Sequence, residues 1–129
     1  MEGALGLRAN WLQSNLMINT DTEENGEIYI GCAGGENADL TLPIHRQPNK
    51  FPHCFHIAIK GLSGGHSGCD IHTERGNAIK LLGVFLTALR YVTEDFSIVD
   101  VRGGSVRNAI PREAFVTLAV DDATLLGMV

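Results

Sequence analysis

With 129 residues, 44% of them hydrophobic, the chain can build one modest core and is too apolar for a disordered segment. Fifteen acidic against ten basic residues give a net charge of −5, which argues against a nucleic-acid partner, because phosphate-backbone affinity comes mainly from Lys and Arg. Cys32, Cys54 and Cys69 form no C-x-x-C pair and are odd in number, so neither a disulfide framework nor a zinc ribbon is signalled. The opening "MEGALGLRANWLQ" has no basic-then-apolar leader pattern, and no apolar run approaches the ~20 residues that cross a bilayer. A soluble cytoplasmic chain with no membrane contact is the expectation.

In chain order, the apolar runs Leu16 to Ile18 and Ile28 to Ile30 flank the polar "NTDTEENGE", with Asn25-Gly26 as a turn signal, and predict two strands joined by a loop. The stretch "ENADLTLPIHRQPNKFP" holds three of the four prolines and suits a connector or irregular edge, with a domain boundary placed near Gly35. From Phe55 the alternation predicts a strand with Phe55, Ile57 and Ile59 facing a core and His56, Ala58 and Lys60 facing away. A helix is expected over 76–92, with Asn77 near its start, one stripe of Ile79, Leu82, Leu86 and Leu89, and a second of Leu81, Phe85, Ala88 and Val92. Two apolar stripes imply burial on more than one side or packing on a partner. Strands follow at "FSIVDV" (96–101) and "AFVTLAV" (114–120), and Asp121-Asp122 looks like the start of another helix. The order is β-α-β-β with a further helix beginning: an α+β, incomplete ferredoxin-like domain with helices on one face of an antiparallel sheet.

Three places could carry chemistry. Asp21, in "INTDTEE", stands just past the apolar run ending at Ile18, where a carboxylate can bind a divalent metal; from spacing alone the plainer reading is that Asp21, Glu23 and Glu24 form a solvated turn. His66 stands in "GLSGGHSGCDIH", where glycine density signals a sharp turn, a positive φ or close approach to a ligand. It is either a loop histidine or a donor able to carry a proton near neutral pH. In "RGGSVRNAIPRE", Arg102, Arg107 and Asn108 could turn a guanidinium and an amide toward a carboxylate or peptide, or Asn108 could be a turn residue only. The six-residue spacing of His66 and His72 fits no helical ligand pair, and His45, His53 and His56 read as exposed polar positions, so a zinc site made by histidines of this chain alone is rejected. Neither G-x-G-x-x-G nor a Walker sequence accompanies the glycine pairs.

Taken together, "LMINTDTEENGEIYIGCAGG", "IKGLSGGHSGCDIHTERGNAIKLLGVFL" and "GGSVRNAIPREAF" resemble the aminoacyl-histidine dipeptidases, the Xaa-His, carnosinase-like branch of the M20 zinc metallopeptidases. The resemblance runs over nearly the whole chain with its motifs in order. It implies that residues 1–35 are the C-terminal piece of the first catalytic-domain segment, and that residues 36–129 begin the lid or dimerisation-type domain inserted into it. It implies that Asp21 ligates one of two zinc ions, that His66 polarises the scissile carbonyl and stabilises the oxyanion, and that Asn108 contacts the substrate. The activity implied is hydrolysis of Xaa-His dipeptides such as β-alanyl-histidine by metal-activated water. The general-base glutamate and the remaining zinc ligands of the family's pattern have no match in these 129 residues, so the expected entity is a fragment, inactive by itself, that works with the remainder of the catalytic domain and a dipeptide substrate. The alternative is a non-catalytic dimerisation module, acting as a homo-oligomer.

Overall fold

The computed structural model describes residues 6–20, 24–31 and 34–123. Chain contacts divide it into two units, meeting between Leu42 and Pro43.

In the first unit the described residues form turns and extended chain without a strand. The two strands expected at Leu16 to Ile18 and Ile28 to Ile30 are therefore not formed. A strand exists only through a ladder of hydrogen bonds, and an isolated pair is marginal in water without an apolar face to bury. Here the apolar side chains have nothing to cover them: Leu16, Met17 and Ile18 are exposed, and Ile28 and Ile30 are 93% and 102% accessible.

The second unit carries the fold. Strand β1 (His53–Ile59) leads through the glycine loop and a single 3-10 turn (Ile71–Thr73) to helix α1 (Ala78–Val92), then β2 (Phe96–Gly103) and β3 (Ala114–Val120). The sheet order is β1-β3-β2, with β3 antiparallel to both neighbours. Strands β1 and β2 therefore run in the same direction with β3 between them, a split β-α-β arrangement as the element order predicts. Residues 34–50, including the proline-rich connector, contain no regular element. The second helix expected after Asp121-Asp122 would begin at the edge of the described residues, and 124–129 lie outside them.

Alternation decides which face is buried. Phe55, Ile57 and Ile59 pair with Leu118, Val116 and Ala114, so all six lie on one side of the sheet, facing α1. Ala78, Leu82 and Leu89 from the helix and Ala114, Val116 and Leu118 from β3 form the core, with Phe85, Leu86 and Phe96 packed against it. Full burial of such a side chain contributes about 1.5–3 kcal/mol, so these few contacts dominate the stability of the unit.

The helix starts where it does because the Asn77 side-chain oxygen accepts from Lys80 N–H at 3.1 Å, and because Ala78 N–H donates to Pro111 C=O at 3.0 Å. The second bond ties the helix start to the loop entering β3. Only part of the expected double stripe is covered: Phe85 packs inward, while Ile79, Leu81 and Val92 remain exposed, as do Val84 and Tyr91 outside the stripes. In β2 the register shifts between Ile98 and Asp100, leaving Val99 as an extra residue whose carbonyl accepts from Arg46 Nη1 at 2.9 Å.

Candidate functional site

The glycine loop after β1 and the loop between β2 and β3 meet through their main chains. Ser67 N–H donates to Asn108 C=O at 2.9 Å, Ile110 N–H donates to Gly65 C=O at 2.8 Å, and His66 bridges Ala109. Two of the three singled-out residues, His66 and Asn108, are thus brought together although 42 positions apart in sequence (108 minus 66). Asp21, the candidate zinc ligand, lies outside the described residues. Among the described residues no group of three His, Cys, Asp or Glu could hold a metal ion. His45, His53 and His56 are exposed, as expected, and His56 Nδ1 lies 2.9 Å from Thr117 Oγ1 on the sheet face away from the helix.

The glycine loop is held by charged groups that follow it. His66 N–H donates to Asp70 Oδ2 at 2.7 Å, and Asp70 N–H donates back to His66 C=O at 2.9 Å. The other oxygen of Asp70 pairs with Arg75 Nη2 at 2.8 Å. The same guanidinium donates from Nη1 to Gly64 C=O at 2.8 Å and from Nε to Thr73 Oγ1 at 3.0 Å. From the opposite side, Arg112 Nε donates to Leu62 C=O at 3.0 Å. Carbonyls that a tight turn leaves without partners are thereby paired with cationic donors, the stronger kind of hydrogen bond.

Glycine is required here for space as well as for angle. Gly65 has φ +145°, and a Cβ on it would collide with Arg75 Nη1 and come within 2.7 Å of Asp70 Oδ2. A Cβ on Gly68 would sit 3.3 Å from the His66 ring atoms Nδ1 and Cε1. The glycines let the ring and the Arg75–Asp70 pair pack directly onto backbone.

Beside the joined loops lies an open groove of about 600 Å³, lined by Gly65, Arg102, Gly104, Ala109, Arg112 and Phe115. Arg102 stacks at 5.0 Å from the Phe115 ring centroid, with Lys60 at 5.3 Å from the same ring. The groove wall thus carries the Arg102 and Arg112 guanidinium groups beside one carboxylate, Glu113, and its Gly65 and Ala109 flank the junction at His66. Sequence reasoning named Arg102 and Arg107 but missed Asp70, Arg75 and Arg112. Asp70 and Arg75 were visible as an acid and a base within "GCDIHTER" just past the glycines, but the main-chain groups they and Arg112 engage, the His66 N–H and the Gly64 and Leu62 carbonyls, are displayed by no motif.

Over residues 57–125, more than half of the chain, the sequence matches the peptidase dimerisation domain of the M20 group. The cytosol non-specific dipeptidase of Escherichia coli (strain K12) is 52% identical over 124 residues, covering 93% of this chain and 25% of that protein. The crystal structure of aminoacylhistidine dipeptidase from Vibrio alginolyticus matches with a TM-score of 0.65 at 44% identity, over 99% of this chain and 26% of that one. The chain therefore spans about a quarter of the length of the relatives it matches. The α+β fold with its three-stranded antiparallel sheet agrees with the domain matched. On these grounds the chain belongs to the M20 peptidase dimerisation-domain family.

Proposed function

We propose that this chain supplies the lid segment of a cytoplasmic dinuclear zinc dipeptidase that hydrolyses Xaa-His dipeptides such as β-alanyl-histidine. The observation that carries the reading is the main-chain junction of the His66 and Asn108 loops, at which His66 is exposed and whose Gly65 and Ala109 line the groove. In this reading residues 1–35 belong to the catalytic domain and 36–129 begin the lid. His66 donates a hydrogen bond to the scissile carbonyl oxygen as negative charge develops on it, and Asn108 holds the dipeptide. A preorganised donor of this kind contributes ~3–4 kcal/mol, or roughly 10²–10³ in rate.

The described residues do not by themselves fit a zinc centre, since a catalytic zinc takes about three protein ligands and no three-donor cluster exists among them. Zinc, with Asp21 as one ligand, belongs to the proposal for the full-length protein, and the roles derived for this chain are those of donor and substrate holder. The names of the relatives support peptidase chemistry, and the cytosolic name of the E. coli relative supports a cytoplasmic location.

The test is His66→Ala in the full-length protein, assayed on β-alanyl-histidine. The expected result is a kcat lower by roughly 10²–10³ with zinc content unchanged. Unchanged turnover would remove His66 from the mechanism.

A second reading, a dimerisation module, rests on a different surface. Leu81, Val84 and Tyr91 follow one another at helical spacing on α1 and are exposed, Tyr91 at 88%. Strand β2 is an edge of the sheet among the described residues, with Ile98 and Val101 exposed. The dimerisation-domain match supports a homo-oligomer, and a second copy would cover these apolar side chains. Sedimentation of the isolated chain tests this: a dimer that Val84→Asp converts to monomer is expected, and a monomer at all concentrations would exclude it.

A further inference from the structure

The hydrogen-bond pattern of the glycine loop fixes where the His66 proton sits. The ring folds back over the turn so that Nδ1 lies 3.1 Å from Gly68 N and 3.1 Å from Cys69 N. Backbone N–H groups only donate, so both contacts require a lone pair on Nδ1. A proton on Nδ1 would set donor against donor twice. In the neutral ring the proton must then be on Nε2, which makes no hydrogen bond among the described residues and belongs to an exposed side chain.

That arrangement depends on keeping the two amides under the ring, and here Asp70 and Arg75 enter. Asp70 closes the 66–70 turn by accepting from His66 N–H and donating to His66 C=O. Arg75 holds the Asp70 carboxylate from outside while gripping Gly64 C=O on the entry side of the loop. The two side chains are about one-third accessible, 28% for Asp70 and 32% for Arg75, so the isolated ion pair contributes little; its geometric effect comes from spanning both ends of the turn.

We propose that Asp70 and Arg75 are positioning residues that lock His66 as the Nε2–H tautomer, presenting a proton donor rather than a base toward a bound peptide carbonyl. The inference rests on the dipeptidase reading only for the identity of that acceptor. It extends the reading by assigning the proton to one atom and by naming two residues, neither of which needs to touch substrate.

The experiment has two readouts. In the 129-residue chain labelled with ¹⁵N-histidine, long-range ¹H–¹⁵N spectra at mildly alkaline pH, where an ordinary imidazole is neutral, should show a pyridine-type Nδ1 and a pyrrole-type Nε2 for His66. A protonated Nδ1, or an even mixture of tautomers, overturns the proposal. In the full-length protein, Asp70→Ala and Arg75→Met should lower kcat by up to about 10²-fold with KM held within about twofold, and should mix the tautomers. Asp70→Asn, which keeps an oxygen for His66 N–H, should lie between Asp70→Ala and wild type. Unchanged kcat and an unchanged tautomer in folded Asp70→Ala overturn the positioning role. Should Asp70→Ala not fold, as judged from the β3 amide signals, the wild-type spectrum and Asp70→Asn still decide. An Nε2–H tautomer combined with full activity of His66→Ala would instead defeat the dipeptidase role of His66 and leave the tautomer assignment standing.

Discussion

Ile28-Tyr29-Ile30 and Ile57-Ala58-Ile59 are nearly the same word, a β-branched residue on either side of one other, yet only the second is a strand. Ile57 and Ile59 meet Val116 and Ala114 across a ladder and are half-buried under α1, whereas Ile28 and Ile30 stand in water. The difference lies in what is opposite rather than in the segment itself. β-Propensity describes how well a side chain suits a pleated, half-covered surface, and it produces nothing where that surface is missing. In the first unit a similar run of apolar residues stays exposed and forms no ladder among the described residues.

This contrast can be tested at decreasing strength. Leu118→Ala, at a fully buried position of the central strand, should lower the stability of the chain by about 2–5 kcal/mol in urea unfolding. Gly65→Ala should cost about 1–3 kcal/mol, because it combines a positive φ with contact against the Arg75–Asp70 pair, and it should disturb the His66 signals more than those of β3. Asn77→Ala removes the helix cap and should cost about 1 kcal/mol, read as a lower urea midpoint at unchanged slope. Ile30→Ala should change stability by less than about 0.5 kcal/mol. A loss at Ile30 as large as that at Leu118 would show that the first unit packs in solution and would dissolve the comparison.

Much of the second unit was legible beforehand because each element announces itself by period. Phe55, Ile57 and Ile59 alternate, Leu82 and Leu89 repeat on one helical face behind Asn77, and "AFVTLAV" coincides with β3. The antiparallel sheet with the helix on one face also agrees with the ferredoxin-like expectation. What escaped reading depends on distant main chain: the extra residue at Val99 with its Arg46 partner, and the pairing of Asp70 and Arg75 around a turn. Of the candidate site, His66 and Asn108 were named in advance, but their adjacency is carried by Ser67 N–H and Asn108 C=O, groups every residue has and no pattern reveals. The two absent strands at 16–18 and 28–30 failed for the opposite reason, since their pattern was clear but among the described residues nothing pairs with them or covers them.

The placement of β3 between two strands that precede it has a consequence for the order of events at the ribosome. Among the described residues, neither β1 nor β2 has a neighbour to pair with until the segment ending at Val120 has been made. Helix α1 can wind early from its own local bonds, but its leucines wait for a surface. Closure of the sheet is thus a long-range step, slowed by the span of chain it must gather, and the apolar residues of β1 and α1 stay uncovered on the nascent chain until β3 has emerged.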